Sequence, residues 1–212
     1  MMKVMMPAAK TKVPTLHKVY GGVFVIFWLY TGLTTPDLLN WATENSLTLS
    51  VLILLAAFYN IFRLSDSSYT LIFLFLLLHV YGSQYNYAQN PLGEWLQQTY
   101  HLQRNPYDRI VHFSFGLLLA YPMQEVLGHG LKPSSPWRYL LPLQLTLALG
   151  ALYEIVEWLV ADLVFGGKQQ GMAYLGMQGD SWDAQKDMAL ALAGALLAMG
   201  ATYLLHHRRE QA

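Results

Sequence analysis

Three short segments of this 212-residue chain carry pairs of ionisable residues separated by three or four positions. The pairs are Asp108 with His112, Glu154 with Glu157, and Asp183 with Asp187. Residues at that spacing lie on the same face of a helix, so both members of a pair can point into one site. Histidine and carboxylate ligands without thiolates suit Zn, Mn or Fe, and an all-oxygen subset suits Mg or Ca. The spacing therefore predicts a divalent metal centre between helices.

Each ionisable group has a predicted role at this centre. The predicted metal ligands are Asp108, His112, Glu154, Asp183 and Asp187. The predicted catalytic groups, which would orient a nucleophile or move a proton, are His112, Glu154, Glu157 and Asp183. Cationic and aromatic groups nearby are predicted to bind the substrate, because a guanidinium suits bidentate contact with a phosphate. They are Arg104, Arg109, Lys186, His79 and Tyr85.

The composition places these groups in a membrane. Hydrophobic residues make up 54% of the chain and charged residues 12%, and the apolar residues come in long blocks. A helix needs about 20 apolar residues to cross the hydrocarbon layer. Six blocks qualify, centred near Phe27, Leu55, Phe75, Leu118, Leu149 and Ala195. We therefore predict an all-α polytopic membrane protein with six transmembrane helices in a single bundle.

The distribution of lysine and arginine predicts the orientation of that bundle. With six spans, one side of the membrane receives nine of the 13 cationic residues and the other side receives four. The positive-inside rule then puts both termini in the cytoplasm and the metal centre in the outer half of the bilayer. The predicted organisation is a cytoplasmic basic tail (1–18), a six-helix membrane domain (19–206) and a cytoplasmic tail (207–212). The absence of cysteine excludes disulfides and thiolate metal sites.

The charges at the outer end of the bundle do not balance. An ionisable group in hydrocarbon costs about 2.5–3.5 kcal/mol, so Glu154 and Glu157 in an apolar helix need partners or a cavity. Six carboxylates share this depth with only two cations, Arg109 and Lys186. The surplus negative charge must be protonated, solvated or neutralised by a bound cation. The alternative is a static network of ion pairs that holds the helices in register.

Four segments together resemble the YjdF family of bacterial inner-membrane proteins, and the resemblance covers nearly the whole chain. The segments are HVYGSQYNY, RNPYDRIVHFSFG, ALYEIVEW and GDSWDAQKDM. The resemblance implies a bacterial inner-membrane protein with six helices. It implies topology and no particular reaction.

A shorter pattern is similar to VanZ-like membrane domains, which are associated with resistance to glycopeptides that act at the cell envelope. The matching residues are Asp108, Arg109, His112, Phe113, Glu154, Glu157, Asp183, Asp187 and Gly194. This chain departs from that pattern by having Glu157 where glutamine is common and Asp187 where asparagine is common. The resemblance therefore implies a more acidic site in this chain.

Three functions fit these observations. The leading hypothesis is a metal-assisted hydrolase or group transferase that acts on an amphiphilic or lipid-linked envelope substrate at the outer leaflet, with membrane lipid and no nucleic acid as partners. An ion- or proton-coupled transporter would use the same acids and histidines as a relay. A structural or regulatory membrane subunit would need only the ion pairs.

Overall fold

The computed structural model describes residues 13–211, and within that range the chain is helical and has no β-strand. The helices are α1 (Thr15–Thr34), α2 (Leu38–Phe62), α3 (Asp66–Gln84), α4 (Pro91–Thr99), α5 (Tyr107–Gly130), α6 (Ser135–Leu163), α7 (Lys168–Tyr174) and α8 (Asp183–Gln211). The all-α polytopic prediction is confirmed. Most of the predicted basic tail, residues 1–12, lies outside the described residues, and the domain boundaries stay predictions.

The predicted count of six membrane spans is not confirmed, because the described part of the chain has five helices that qualify. The helices long and apolar enough to cross a membrane are α1, α2, α5, α6 and α8. α3 has 19 residues, but it begins with the polar segment Asp66–Ser68 and ends with Gly82–Gln84, which lowers its hydropathy. It packs against α1, α2 and α5 inside the bundle. Neighbouring helices therefore cover a surface that would otherwise need to be apolar.

The long helices run alternately up and down, so their ends form two layers. At one end, His17 near the start of α1 hydrogen-bonds the hydroxyl of Tyr59 near the end of α2 at 2.7 Å. At the other end, the Asn40 amide of α2 donates to the Ser83 carbonyl of α3 at 3.2 Å. The start of α5 belongs to this second layer, because the Tyr107 hydroxyl donates to a carbonyl near the end of α3. The three predicted pairs lie in this layer, which we call the acidic end.

α5 and α8 run parallel and touch backbone to backbone. A Cβ added to Gly116 of α5 would collide with the carbonyl oxygen of Ala191 in α8. A Cβ added to Gly194 of α8 would collide with the carbonyl oxygen of Phe113 in α5. Only glycine permits so close an approach, which is typical of helix contacts in membranes. Gly116 and Ala191 lie one turn further from the acidic end than His112 and Asp187. The contact therefore sets the distance between the acidic residues of α5 and those of α8.

Candidate metal centre

The first turns of α5 and α8 bring three of the predicted ligands together. Asp108, His112 and Asp187 each offer a ligand atom, and these atoms all lie within 4.8 Å of one another. The His112 Nε2 atom is 3.4 Å from the nearer oxygen of Asp108. His112 and Asp187 are buried and Asp108 is half-buried. We call these three residues the triad.

α6 adds a carboxylate to the triad from the third side. The Oε1 atom of Glu154 is 3.7 Å from His112 Nε2. Among the described residues, this oxygen and the Oδ1 atom of Asp187 are buried without a hydrogen-bond partner. An unsatisfied buried polar atom costs about 1–3 kcal/mol, and more when the group is charged. Two orphaned oxygens beside one imidazole are a donor set that fits a divalent cation.

A separate layer of ion pairs lies above the triad. Asp183 pairs with Arg104 and with Arg109, whose Nη2 is 3.5 Å from the carboxylate. Asp180 pairs with Arg109 and with Lys186, whose Nζ lies at 2.6 Å. The hydrogen bond from Lys186 and other hydrogen bonds at the carboxylate lower the pKa of Asp180 to about 2. The acids and cations of this layer therefore neutralise one another.

This layer separates Asp183 from the other predicted ligands. α8 begins at Asp183, so Asp180 lies in the preceding turn and does not share a helix face with Asp183 and Asp187. Asp183 is 5% exposed and faces the two arginines, whereas Asp187, one turn deeper, belongs to the triad. Arg104 reaches the triad as well, with its Nη2 atom 3.7 Å from Asp108. The structure thus groups four of the five predicted ligands and places the fifth, Asp183, among cations.

The connections that precede α5 and α8 are joined over this layer. The backbone N–H of Asn105 donates to the Gln178 side chain at 2.8 Å, and the Gln178 amide donates back to the Asn105 carbonyl at 3.1 Å. Arg104 also donates to the carbonyl of Gly176 at 3.4 Å. These bonds hold the segment before α5 against the segment before α8. They fix the cations that cover the triad.

The remaining predicted substrate-binding groups lie on two sides of the site. His79 is buried and hydrogen-bonds the Tyr87 hydroxyl at 2.6 Å. Burial raises the pKa of the Tyr87 phenol well above its usual range, so this phenol stays a neutral donor. Tyr85 instead packs edge-on against Tyr81. A cavity described below adjoins the triad, and of His79 and Tyr85 only His79 is among its described lining residues.

Sequence reasoning missed Glu44 as a site residue. Glu44 of α2 is 5% exposed and accepts a hydrogen bond from the Tyr153 hydroxyl of α6 at 3.0 Å. The Tyr153 ring makes an edge contact with the ring of His112, with centroids 5.8 Å apart. Glu157 lies close to both Glu44 and Tyr153. An acid inside an apolar helix, the criterion that selected Glu154 and Glu157, also selects Glu44.

A cavity of about 390 Å³ opens next to the triad, between α2, α3, α5 and α6. Its polar lining residues all lie toward the acidic end, and the rest of its lining is apolar. The polar lining residues are Thr48, His79, Tyr87, Asp108, His112 and Tyr153. The cavity therefore has one polar end and one apolar end.

The comparisons with known proteins give a family. The family model described as predicted membrane protein (DUF2238) matches residues 16–208. The inner membrane protein YjdF of Escherichia coli (strain K12) is 37% identical over 188 residues, which cover 88% of each chain. No solved structure matches the chain. The predicted resemblance to YjdF is confirmed, and the resemblance to VanZ-like domains stays a prediction.

Proposed function

We propose that this chain, which belongs to the DUF2238 family of predicted membrane proteins, is an inner-membrane enzyme that hydrolyses or transfers a polar group of an amphiphilic envelope substrate with the help of a divalent metal. One observation carries the proposal. Two buried carboxylate oxygens, on Asp187 and Glu154, lack partners within the described residues and lie around His112 at the polar end of an apolar cavity. A cation would satisfy these oxygens, and an amphiphile would fit the cavity.

The triad residues Asp108, His112 and Asp187 would hold the ion. When bound, such an ion supplies Lewis acidity and makes a hydroxyl or water more acidic. Glu154 would take up the proton of the nucleophile and return it to the leaving group, since its carboxylate already lies beside His112. Glu157, one turn toward the acidic end, is placed to exchange protons through Tyr153.

The cations above the triad have a different proposed role. Asp183 positions Arg104 and Arg109, which face it from the loop before α5 and from α5 itself. Arg109 and Lys186 are partly exposed, so they can also contact an anionic group that reaches the site from outside. Zn or Mn suits the nitrogen and oxygen donors of the triad better than Mg does.

One observation supports an enzyme over a transporter. Among the described residues, the ionisable lining of the cavity is confined to the acidic end, whereas a relay would need acids along a path to the other side. The aspartates around α8 support an enzyme over a purely structural subunit. Ion pairs satisfy Asp180 and Asp183, yet among the residues described Asp187 keeps an unpartnered oxygen.

Metal binding tests the proposal directly. We expect detergent-purified protein, freed of metal by a chelator, to bind about one equivalent of Zn or Mn in titration calorimetry. Its thermal stability should rise on binding. Asp187→Asn should weaken that binding at least tenfold. The control is Glu94→Gln, which removes an exposed acid from α4 near the same end of the bundle. Equal affinity in both variants, or no binding in the unsubstituted protein, would overturn the metal centre and leave the ion-pair network.

A further inference from the structure

We propose that the cavity binds one hydrocarbon chain of a membrane lipid, which reaches it sideways from the bilayer between α2 and α6. The inference rests on the proposed function only for what happens at the polar end. The substrate would then be a lipid whose polar group lies at the triad and whose chain extends toward the opposite face of the membrane.

The cavity is long in the direction of the helices. Asp108 and Val126, both on α5, line its two ends. They are 18 positions apart, which is five helical turns or about 27 Å along the axis. The hydrocarbon core of a bilayer is about 30 Å thick. A space of about 390 Å³ that follows one helix over this length is narrow, and its shape suits a single extended chain.

The lining changes character along that length. Below the polar residues, the walls are made of side chains such as Leu55, Leu64, Leu119 and Val126. These side chains offer no hydrogen bond to water or to a polar ligand. An apolar space of this size is costly to leave unfilled, and hydrocarbon fills it without desolvating a polar group. The polarity gradient therefore matches a lipid oriented with its polar group outward.

The exposure of the lining residues locates the opening. The lining residues of α3 and α5 include the buried side chains of Ile72, Leu76 and Val111. Five of the lining residues of α2 and α6 are instead exposed. They are Leu47 (42%), Val51 (37%), Leu149 (38%), Leu152 (55%) and Val156 (42%). Exposed lining side chains on α2 and α6, opposite buried ones on α3 and α5, locate the opening of the cavity between α2 and α6.

Packing explains why the gap lies there. α2 packs mainly against α3, and α6 packs mainly against α5 and α8. The two helices are joined at the acidic end by the hydrogen bond from Tyr153 to Glu44. This pair lies beside His112, so a polar group moving sideways toward the triad passes it. The Glu44–Tyr153 pair is thus the polar edge of the opening.

Photolabelling from a bilayer tests this inference. The protein is reconstituted into phosphatidylethanolamine and phosphatidylglycerol vesicles that contain a phosphatidylethanolamine with a diazirine in the middle of one acyl chain. After irradiation, mass spectrometry locates the label. We expect labelling of the cavity-facing residues Leu119 and Met123 on α5. Labelling confined to the outward surfaces of α1, α2 and α6 would overturn the proposal.

Substitutions at the opening separate a lateral path from surface labelling. Val51→Trp and Leu149→Trp should each lower α5 labelling at least fivefold, because an indole fills the gap between α2 and α6. The matched controls Ile53→Trp and Ile155→Trp lie on the same helices, face lipid and do not line the cavity, so α5 labelling should stay within twofold. Equal labelling in blocked and control proteins would contradict the lateral path. If a tryptophan variant aggregates in size-exclusion chromatography, Leu149→Phe replaces it.

Asp187→Asn distinguishes this inference from the proposed function. The variant should keep its acyl-chain labelling, since Asp187 does not line the cavity. If Asp187→Asn loses metal binding and keeps normal labelling, the lipid site does not depend on the metal. If the unsubstituted protein binds metal but α5 is not labelled, the lipid site is overturned and the metal centre remains.

Discussion

Two aspartates one turn apart on α8 have opposite environments. Asp183 is paired with two arginines, whereas Asp187 is 2% exposed and its Oδ1 atom lacks a partner among residues 13–211. Removing one member of a buried ion pair leaves the other charge uncompensated and is destabilising. Removing the charge from a buried carboxylate that has an oxygen without a hydrogen-bond partner relieves a desolvation cost. The same chemical substitution should therefore have opposite effects at the two positions.

We expect Asp187→Asn to raise the melting temperature of the chelated protein by about 2–4 °C, the shift expected for about 1 kcal/mol in a chain of this size. Asp183→Asn should lower it by a similar amount or more. Differential scanning fluorimetry in detergent with a chelator measures both, and each variant is the control for the other. A drop in both variants would mean that Asp187 has a stabilising partner.

Sequence reasoning at the level of residues succeeded where the helix itself supplies the geometry. Asp108 and His112 are four positions apart on one helix, so their proximity follows from the helical repeat. The separation of Asp183 from Asp187 depends on Arg104, which precedes α5 and reaches α8 across the bundle. The contact between Glu44 and Tyr153 joins residues 109 positions apart. Spacing along one helix cannot predict such contacts.

The glycine contact between α5 and α8 governs the site at the scale of elements. We expect Gly194→Val to force the two helices apart, because a side chain there meets the α5 backbone. The variant should lose at least 5 °C in melting temperature and should bind metal at least tenfold more weakly. Gly200→Val is the matched control on the same helix, since a Cβ there meets nothing within 4 Å. Calorimetry and fluorimetry on both proteins give the comparison.

A Gly194→Val protein with unchanged metal affinity would show that the triad does not depend on the α5–α8 distance. The small residues near Gly194 permit close helix packing, but the sequence alone cannot name α5 as the partner. That assignment depends on which helices meet in space. The span count illustrates a related point, since α3 gains cover from α1, α2 and α5 and can therefore carry polar ends.

At the scale of the whole molecule, the two layers of helix ends differ in charge. The acidic end carries the ion-pair layer and the triad, and Lys18, Arg63 and Arg138 lie at the ends of helices in the opposite layer. The positive-inside rule assigns that opposite layer to the cytoplasm. Composition and block length predicted the membrane bundle well, because they depend on totals along the chain and not on pairwise contacts.

The orientation remains a prediction with a direct test. The chain has no cysteine, so a single introduced thiol reports without background. We expect Gln170→Cys, in the exposed α7 segment of the acidic end, to react with an impermeant maleimide in intact spheroplasts. Ser134→Cys, at the opposite end, should react only after permeabilisation. The reverse pattern would invert the topology and move the acidic end to the inner leaflet.

The division of the triad between α5 and α8 also has a consequence for biosynthesis. Asp108 and His112 enter the membrane with α5, whereas Asp187 arrives only with α8, and Asp180 and Asp183 arrive with α8 and the turn before it. During translation, the half-made bundle therefore carries Arg109 without Asp180 and Asp183, whereas Arg104 has Asp108 beside it. The completion of α8 neutralises Arg109 and closes the site in one step. A chain interrupted before residue 180 lacks both aspartates, and Arg109 then has neither of its ion-pair partners.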